Sequence, residues 1–474
     1  MTINGTPIKI LFWLDVEDFV SEESEAGLEG LLDLLDSRGI TGIFKLVGEK
    51  IRMLERRGRH DLIRRLKAHE VGYHTDLHSV HPVTTEYLEP LGFREGAEEF
   101  ERREGGGFED LLRITEQPAL CYGQPGLAWA PHPFAVLRKW GIPVYLDSHN
   151  QVDYGGRPFW YGGLLNMTAL TGIMSIPLKE DMLESGKRKF HELCDAQMDE
   201  EIGFISLFYH PTEFVFSEFW DAVNFAKGNN PPREEWVKPK QHPEGKMAFY
   251  LEQFGLFLDY TLSLEHVEYI GIQQLLAMEK SNSRMLTKEE IRGFAAQVRT
   301  DLNYGELGDL TLSPGELFWV FRQYLLGEEP IPELIYGPEK AFEPVSNQTT
   351  GGAAAIEKKV DAEPRTFTAS AIMQAISQDL PTVCGFKQMP NAFVIGGEPV
   401  NPVSVTCAMA TMIRDNVAPN EEVELMEGRL AAADYAANDG EWSRYWVIFP
   451  ESLQVRNIVE MSRLQAWTFK PALF

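Results

Sequence analysis

The stretch Ile-Lys-Ile-Leu-Phe-Trp-Leu-Asp-Val-Glu-Asp-Phe, residues 8–19, is a short apolar run that ends abruptly in acids. Seven residues without a helical period read as a strand buried on both faces, which delivers Asp15, Glu17 and Asp18 from its end into a cleft. Next comes an amphipathic segment, 27–37, with Leu28, Leu31, Leu32 and Leu35 on one face, and then the glycine-entered apolar run 40–47. Together these make a β-α-β unit. A second amphipathic stretch, 59–69, leads into Gly72-Tyr73-His74-Thr75-Asp76-Leu77-His78, where two imidazoles stand four residues apart and share a face if the backbone turns helically there. Further on, the apolar run 202–209 ends at His210-Pro211, the proline stopping any further ladder.

Repeated strand-helix alternation predicts a parallel sheet, open or closed into a barrel, with reactive side chains gathered at the C-terminal strand ends. Asp15, Glu17, Asp18, His74, His78, Asp147 and His210 all satisfy that placement. Two imidazoles and a carboxylate suit a divalent ion with open positions, the arrangement used to hydrolyse amides or esters. Zinc is the first expectation, with cobalt or nickel acceptable to the same nitrogen-rich set. Glu17 shares the strand face of Asp15, whereas Asp18 reaches that face only if the strand has ended or bulged, so both stay open as ligands. His69, His81, His132 and His149 are expected at the surface or in solvated loops.

The acidic "LDVEDF", the histidine motif "HTDLH", the segment "YGQPGLAWAPHPFAVLRKWGIPVYLDSH" and the late "LFYHP" together resemble the polysaccharide deacetylases with the NodB homology domain, carbohydrate esterase family 4, over roughly residues 5 to 275. The resemblance implies a distorted (β/α) barrel in the first 280 residues and removal of an acyl group from an amino sugar or related carbohydrate. It also implies roles: Asp15 as the base, His210 as the general acid, Asp147 as the partner that keeps His210 cationic, with Asp153 as a substitute, and Gln124, Pro125 and Tyr209 against the substrate. Gln124 stands where the family usually has an arginine beside its base. Two alternatives accompany this reading: a glycan-binding protein with a degenerate deacetylase domain, and a barrel metalloenzyme acting on small cyclic amides.

The chain's 474 residues suffice for two domains, each with its own core. Its 71 acidic against 44 basic residues leave a charge of -27, which opposes binding to nucleic acid or an anionic membrane surface. No run approaches the roughly 18 apolar residues of a membrane span, and because the N-terminus leads almost directly into the first strand, no secretion signal is expected. The four cysteines are scattered, so the expectation is a reducing, cytoplasmic setting and no cysteine-held zinc. After residue 280 the alternation stops. Helix starts at Ser313-Pro314-Gly315-Glu316 and at Thr368 are each followed by a proline-led apolar tail, "IPELIYGP" at 331–338 and "MPNAFVIGG" at 389–397. Residues 281–474 are therefore expected to form a smaller, mainly helical accessory domain of two repeats joined by the linker 347–365, the second being similar to pseudomurein-binding repeats.

Overall fold

The computed structural model describes residues 5–280, 284–342, 365–437 and 445–474. The protein is mixed α/β, built on a curled half-barrel sheet of mostly parallel strands. In chain order its strands are β1 (Ile8–Val16), β2 (Ile43–Leu46), β3 (Glu70–Tyr73), β4 (Cys121–Tyr122), β5 (Val144–Leu146), β6 (Phe159–Tyr161), β7 (Leu164–Met167), β8 (Ile173–Met174), β9 (Phe204–Tyr209) and β10 (Val267–Tyr269), with a last short strand, Lys470–Pro471. The path runs from Lys470–Pro471 through β6, β7, β5, β4, β3, β2, β1 and β9 to β8, so the barrel is open at two edges. Along one side β1 pairs with β9; along the other its first half pairs with β10 and its second half with β2.

Burial on both faces explains why β1 lacks a simple alternation of apolar and polar residues. Ile8, Ile10, Phe12, Leu14 and Val16 pack into the outer core against the helices, Leu28, Leu31, Leu32 and Leu35 of helix Ser24–Asp36 among their neighbours. Leu11 and Trp13 point the other way, into a smaller inner core with Ile43, Cys121, Val144 and Leu146. The inner face of the strands is therefore the one whose C-terminal ends open into the cleft. Helices Phe93–Thr115, Pro133–Lys139 and Lys246–Leu262 cover the outer face of the sheet.

Beyond residue 280, where a smaller, mainly helical accessory domain is expected, the described residues carry strands as well as helices. A second core does gather around helices Pro314–Leu326 and Pro402–Asp415. The described residues there also form two-stranded ribbons, for example Arg365–Thr368 with Glu422–Leu425. Nor does this half stand apart: Lys470–Pro471 adds to the edge of β6, and Tyr336, Ile458 and Phe469 lie in the outer core of the first half. The two proline-led tails are not equivalent folds. The second forms the hairpin Phe393–Ile395/Glu398–Val400, the first forms only a bridge from Tyr336 to Gln388, and the two tails hydrogen-bond to each other there. The linker, apart from its last residue Arg365, lies outside the described residues. None of the described helices is long and apolar enough to cross a membrane.

Candidate metal centre and its surroundings

Side-chain alternation carries Asp15, and Glu17 just past the end of β1, to the inner face, where both are buried. His74 follows the last residue of β3 and is buried beside them. The expected helical turn between the two imidazoles is absent. Residues 74–80 are a loop in which Thr75 (φ 62°) and His78 (φ 51°) take left-handed conformations, and this brings the rings to 5.0 Å between centroids. Such backbone costs on the order of 1–3 kcal/mol per residue and persists only where the surroundings impose it.

Within the loop, His78 Nε2 lies 2.8 Å from Glu17 Oε2, and His74 Nε2 lies 3.9 Å from the same oxygen. One ligand atom from each of Glu17, His74 and His78 falls within 4.8 Å of the others, so the three could hold a metal ion. Hydrogen bonds behind the rings set their tautomers. The carbonyl of Gly123, 2.8 Å from His74 Nδ1, can only accept, so Nδ1 carries the proton and the buried Nε2, without a hydrogen-bond partner, presents its lone pair to the cluster. His78 Nδ1 meets Ser79 Oγ at 2.6 Å, and that hydroxyl donates onward to Asp221 at 2.9 Å. Trp220 Nε1 donates to the other oxygen of Glu17 at 3.0 Å. Ligands oriented from behind in this way are typical of metal sites, and an N, N, O donor set fits zinc, cobalt or nickel. Burial works against the charge of Glu17, but His78 and His210 outweigh it and hold its carboxyl well below the usual range.

Asp18 is absent from this cluster. Its Oδ1 accepts from the backbone N–H groups of Val20 and Ser21, both at 2.9 Å, and its Oδ2 from Thr212 Oγ1 at 3.3 Å, so it ties the chain after β1 to the helix that follows His210. The strand continues its alternation for one residue past Val16 and then turns, which separates Glu17 from Asp18.

Beside Asp15 stands a residue the sequence reading passed over. Lys45 of β2 is fully buried, with Nζ 2.9 Å from Asp15 Oδ1, 2.8 Å from Asp147 Oδ2 and 4.0 Å from the centre of the Trp13 ring. Burial would push the Asp15 carboxyl up, yet Lys45, His74 and His210 prevail and hold it below its ordinary value. For Asp147 burial wins, and its carboxyl is pushed up to about 6. The expected pairing of Asp147 with His210 is thus replaced by Asp147 with Lys45. His210 Nδ1 instead contacts Glu213 of helix Pro211–Val215, and its Nε2 lies 3.6 Å from Asp15 Oδ2. Burial alone would lower the His210 pKa, but Glu213, Glu17 and Asp15 carry it up to about 10.

Gln124 is buried with its Nε2 turned to the Gly126 carbonyl at 2.9 Å, so the cation beside Asp15 comes from β2 and not from this position. Pro125 is buried in the same turn. The ring of Tyr209 faces the outer core, its hydroxyl donating to the Ile176 carbonyl at 2.7 Å, because strand alternation places Phe208 and His210 on the opposite side. His69 and His132 are buried rather than surface-exposed: His69 accepts from the Gly42 N–H, and His132 packs beneath Gly96. His81 is anchored to Glu86 and the Phe225 carbonyl, and His149 is buried against Trp129. At the rim, Trp446 stands edge-to-face with His78 at 6.1 Å and covers Gly126, where a side chain would collide with it. A lysine at an inward position of a buried strand, and a glutamate three residues after His210, were the available signals for Lys45 and Glu213; nothing local to residues 445–450 announced Trp446.

No protein-family model matches the chain, and no curated protein matches it. Several solved structures are similar to it. One from Mycobacterium smegmatis, assigned as a polysaccharide deacetylase, has 16% identity and a TM-score of 0.38 over 58% of this chain and 91% of that one. The PuuE allantoinase has 14% identity and a TM-score of 0.36 over 58% and 91%. A carbohydrate esterase family 4 enzyme of Streptococcus mutans has 12% identity and a TM-score of 0.32 over 56% and 86%.

Proposed function

We propose that the protein is a metal-dependent hydrolase that removes an acyl group, acetyl foremost, from an amino sugar or a related carbohydrate. The observation that carries the reading is the convergence of Glu17, His74 and His78 within 4.8 Å, flanked by the carboxylate of Asp15 and the imidazole of His210. Glu17, His74 and His78 would hold the ion, zinc by preference. Bound there, a divalent ion supplies a Lewis acid for the acyl carbonyl and lowers the pKa of water. Asp15, kept ionised by its neighbours, accepts the proton released by the attacking water. His210, cationic at neutral pH, donates a proton to the departing nitrogen as its bond to the acyl carbon breaks. The products are the free carboxylic acid and the amine. The strongly acidic chain favours a neutral substrate whose product amine becomes cationic.

Protein prepared without chelator and supplied with zinc should retain about one equivalent by elemental analysis and release acid from at least one N-acetylated amino sugar. The double change His74→Ala and His78→Ala should abolish both. Retention of well under one equivalent by the native chain, or unaltered metal content in the double variant, would refute the assignment.

A further inference from the structure

We infer that Lys45 is a positioning residue for the reaction: its ammonium, clamped between Asp15 and Asp147, dictates which oxygen of Asp15 meets the attacking water. The inference rests on the proposed role of Asp15. Its grounds are geometric. Lys45 has no exposed surface, and its Nζ sits 2.9 Å from Asp15 Oδ1 and 2.8 Å from Asp147 Oδ2. The other oxygen of Asp15, Oδ2, is the one turned toward His210, 3.6 Å from its Nε2. Oδ1, which also lies 3.9 Å from His74 Nε2, is thereby engaged by the ammonium, and Oδ2 is left on the side of His210. A carboxylate free to rotate about χ2 would offer either oxygen in either direction, and that freedom is removed here by a charge-assisted contact.

The surroundings are shaped to admit this side chain. Gly72 of β3 and Gly123 after β4 face it from the neighbouring strands. A Cβ at Gly123 would lie 2.3 Å from both Lys45 Nζ and Asp147 Oδ2, and one at Gly72 would press on Lys45 Cγ at 3.2 Å and, more severely, on Cys121. The Trp13 ring closes the remaining side, 4.0 Å from the ammonium. Two glycines and the Trp13 ring leave room for the lysine stem, and its ammonium meets Asp15 and Asp147. Asp147 is in turn fixed by the Ser148 N–H, which donates to its Oδ1 at 2.7 Å, so the carboxylate that holds the lysine is itself held.

The test uses the full-length zinc-loaded protein with two substrates: p-nitrophenyl acetate, whose activated acyl group needs no sugar recognition, and an N-acetylated amino sugar. Lys45→Met should keep its metal and lower kcat by ~10²-fold on the ester with KM little changed, the scale of a misplaced general base. Lys45→Arg, which restores a cation in the same channel, should recover most of that loss. Should Lys45→Met fail to fold, Lys45→Met combined with Asp147→Asn removes the charge and its counter-charge together, and the same loss of kcat is expected. Native kcat in a metal-loaded Lys45→Met or in the double variant, or an Arg variant as impaired as the Met variant, overturns the inference while leaving the hydrolase reading standing. Zinc-dependent cleavage of the ester but of no acetylated sugar overturns the substrate reading and leaves the Lys45 comparison valid. Absence of any zinc-dependent cleavage overturns both.

Discussion

Glu104 is a buried carboxyl that the proposed chemistry does not use, yet it supports the histidine loop directly. Its Oε2 accepts both the Tyr73 hydroxyl at 2.8 Å and the Asp76 N–H at 2.6 Å. Burial is the main reason its pKa is pushed from 4.5 to about 7; the Tyr73 bond opposes the rise and the Asp76 charge adds to it. A group that binds its proton more tightly when folded adds stability below its unfolded pKa, and that contribution is lost as the pH rises through the folded value. The native chain should therefore lose stability between about pH 4.5 and pH 7 from this group alone. Because both bonds fall on one oxygen, Glu104→Gln keeps its acceptor and removes the charge. Thermal melts of the two proteins should converge at acid pH and separate above neutrality, with the Gln variant higher. Parallel Tm curves across that range would refute the account.

Between elements, the approach of helix Ser24–Asp36 to helix Pro211–Val215 is what seats His210. Gly27 lies against backbone there: a Cβ on it would come 2.1 Å from the Pro211 carbonyl oxygen, which has no flexible side chain to move aside. Gly27→Ala should cost about 1–3 kcal/mol by overpacking and should displace the turn that aims His210. A denaturant midpoint equal to the native one would show that the helices yield more readily than this contact allows. The strands obey a different control. Their inner-face parity decides that Asp15, Glu17, Lys45, His74 and His210 share a cleft, and that Tyr209 does not.

At the scale of the whole molecule, described residues after 280 pack against the first half. Phe159 and Tyr161 of β6 share a core with Phe469, and Tyr161 donates to the Ser462 carbonyl at 2.7 Å. Severing the chain at residue 280 would expose that apolar surface and leave β6 an open edge. A fragment of residues 1–280 should therefore express with far lower soluble yield than the whole chain, and the whole chain should melt in one cooperative transition. A soluble fragment with a native-like melt would show that the first half folds alone.

Periodicity and capping chemistry are local, and the sequence alone determined what depends on them. The buried strand at 8–14, the helix Ser24–Asp36 and the starts at Ser313 and Thr368 follow from apolar spacing and from side chains that cap neighbouring N–H groups. The presence of acids and imidazoles at strand ends followed as well, since a strand's last residues are known once its apolar run is. Which groups touch was decided only by tertiary structure. Glu17 was separated from Asp18 by a turn whose N–H groups Asp18 itself caps, and Asp147 was drawn to Lys45 because the sheet sets β2 and β5 on either side of β3 and β4, where Gly72 and Gly123 leave room for the lysine. Trp446 reaches His78 across 368 positions of chain. Spacing along a chain carries no information about such contacts, because they form when strands curl and loops close over them, and the charge balance of the cleft exists only after that closure.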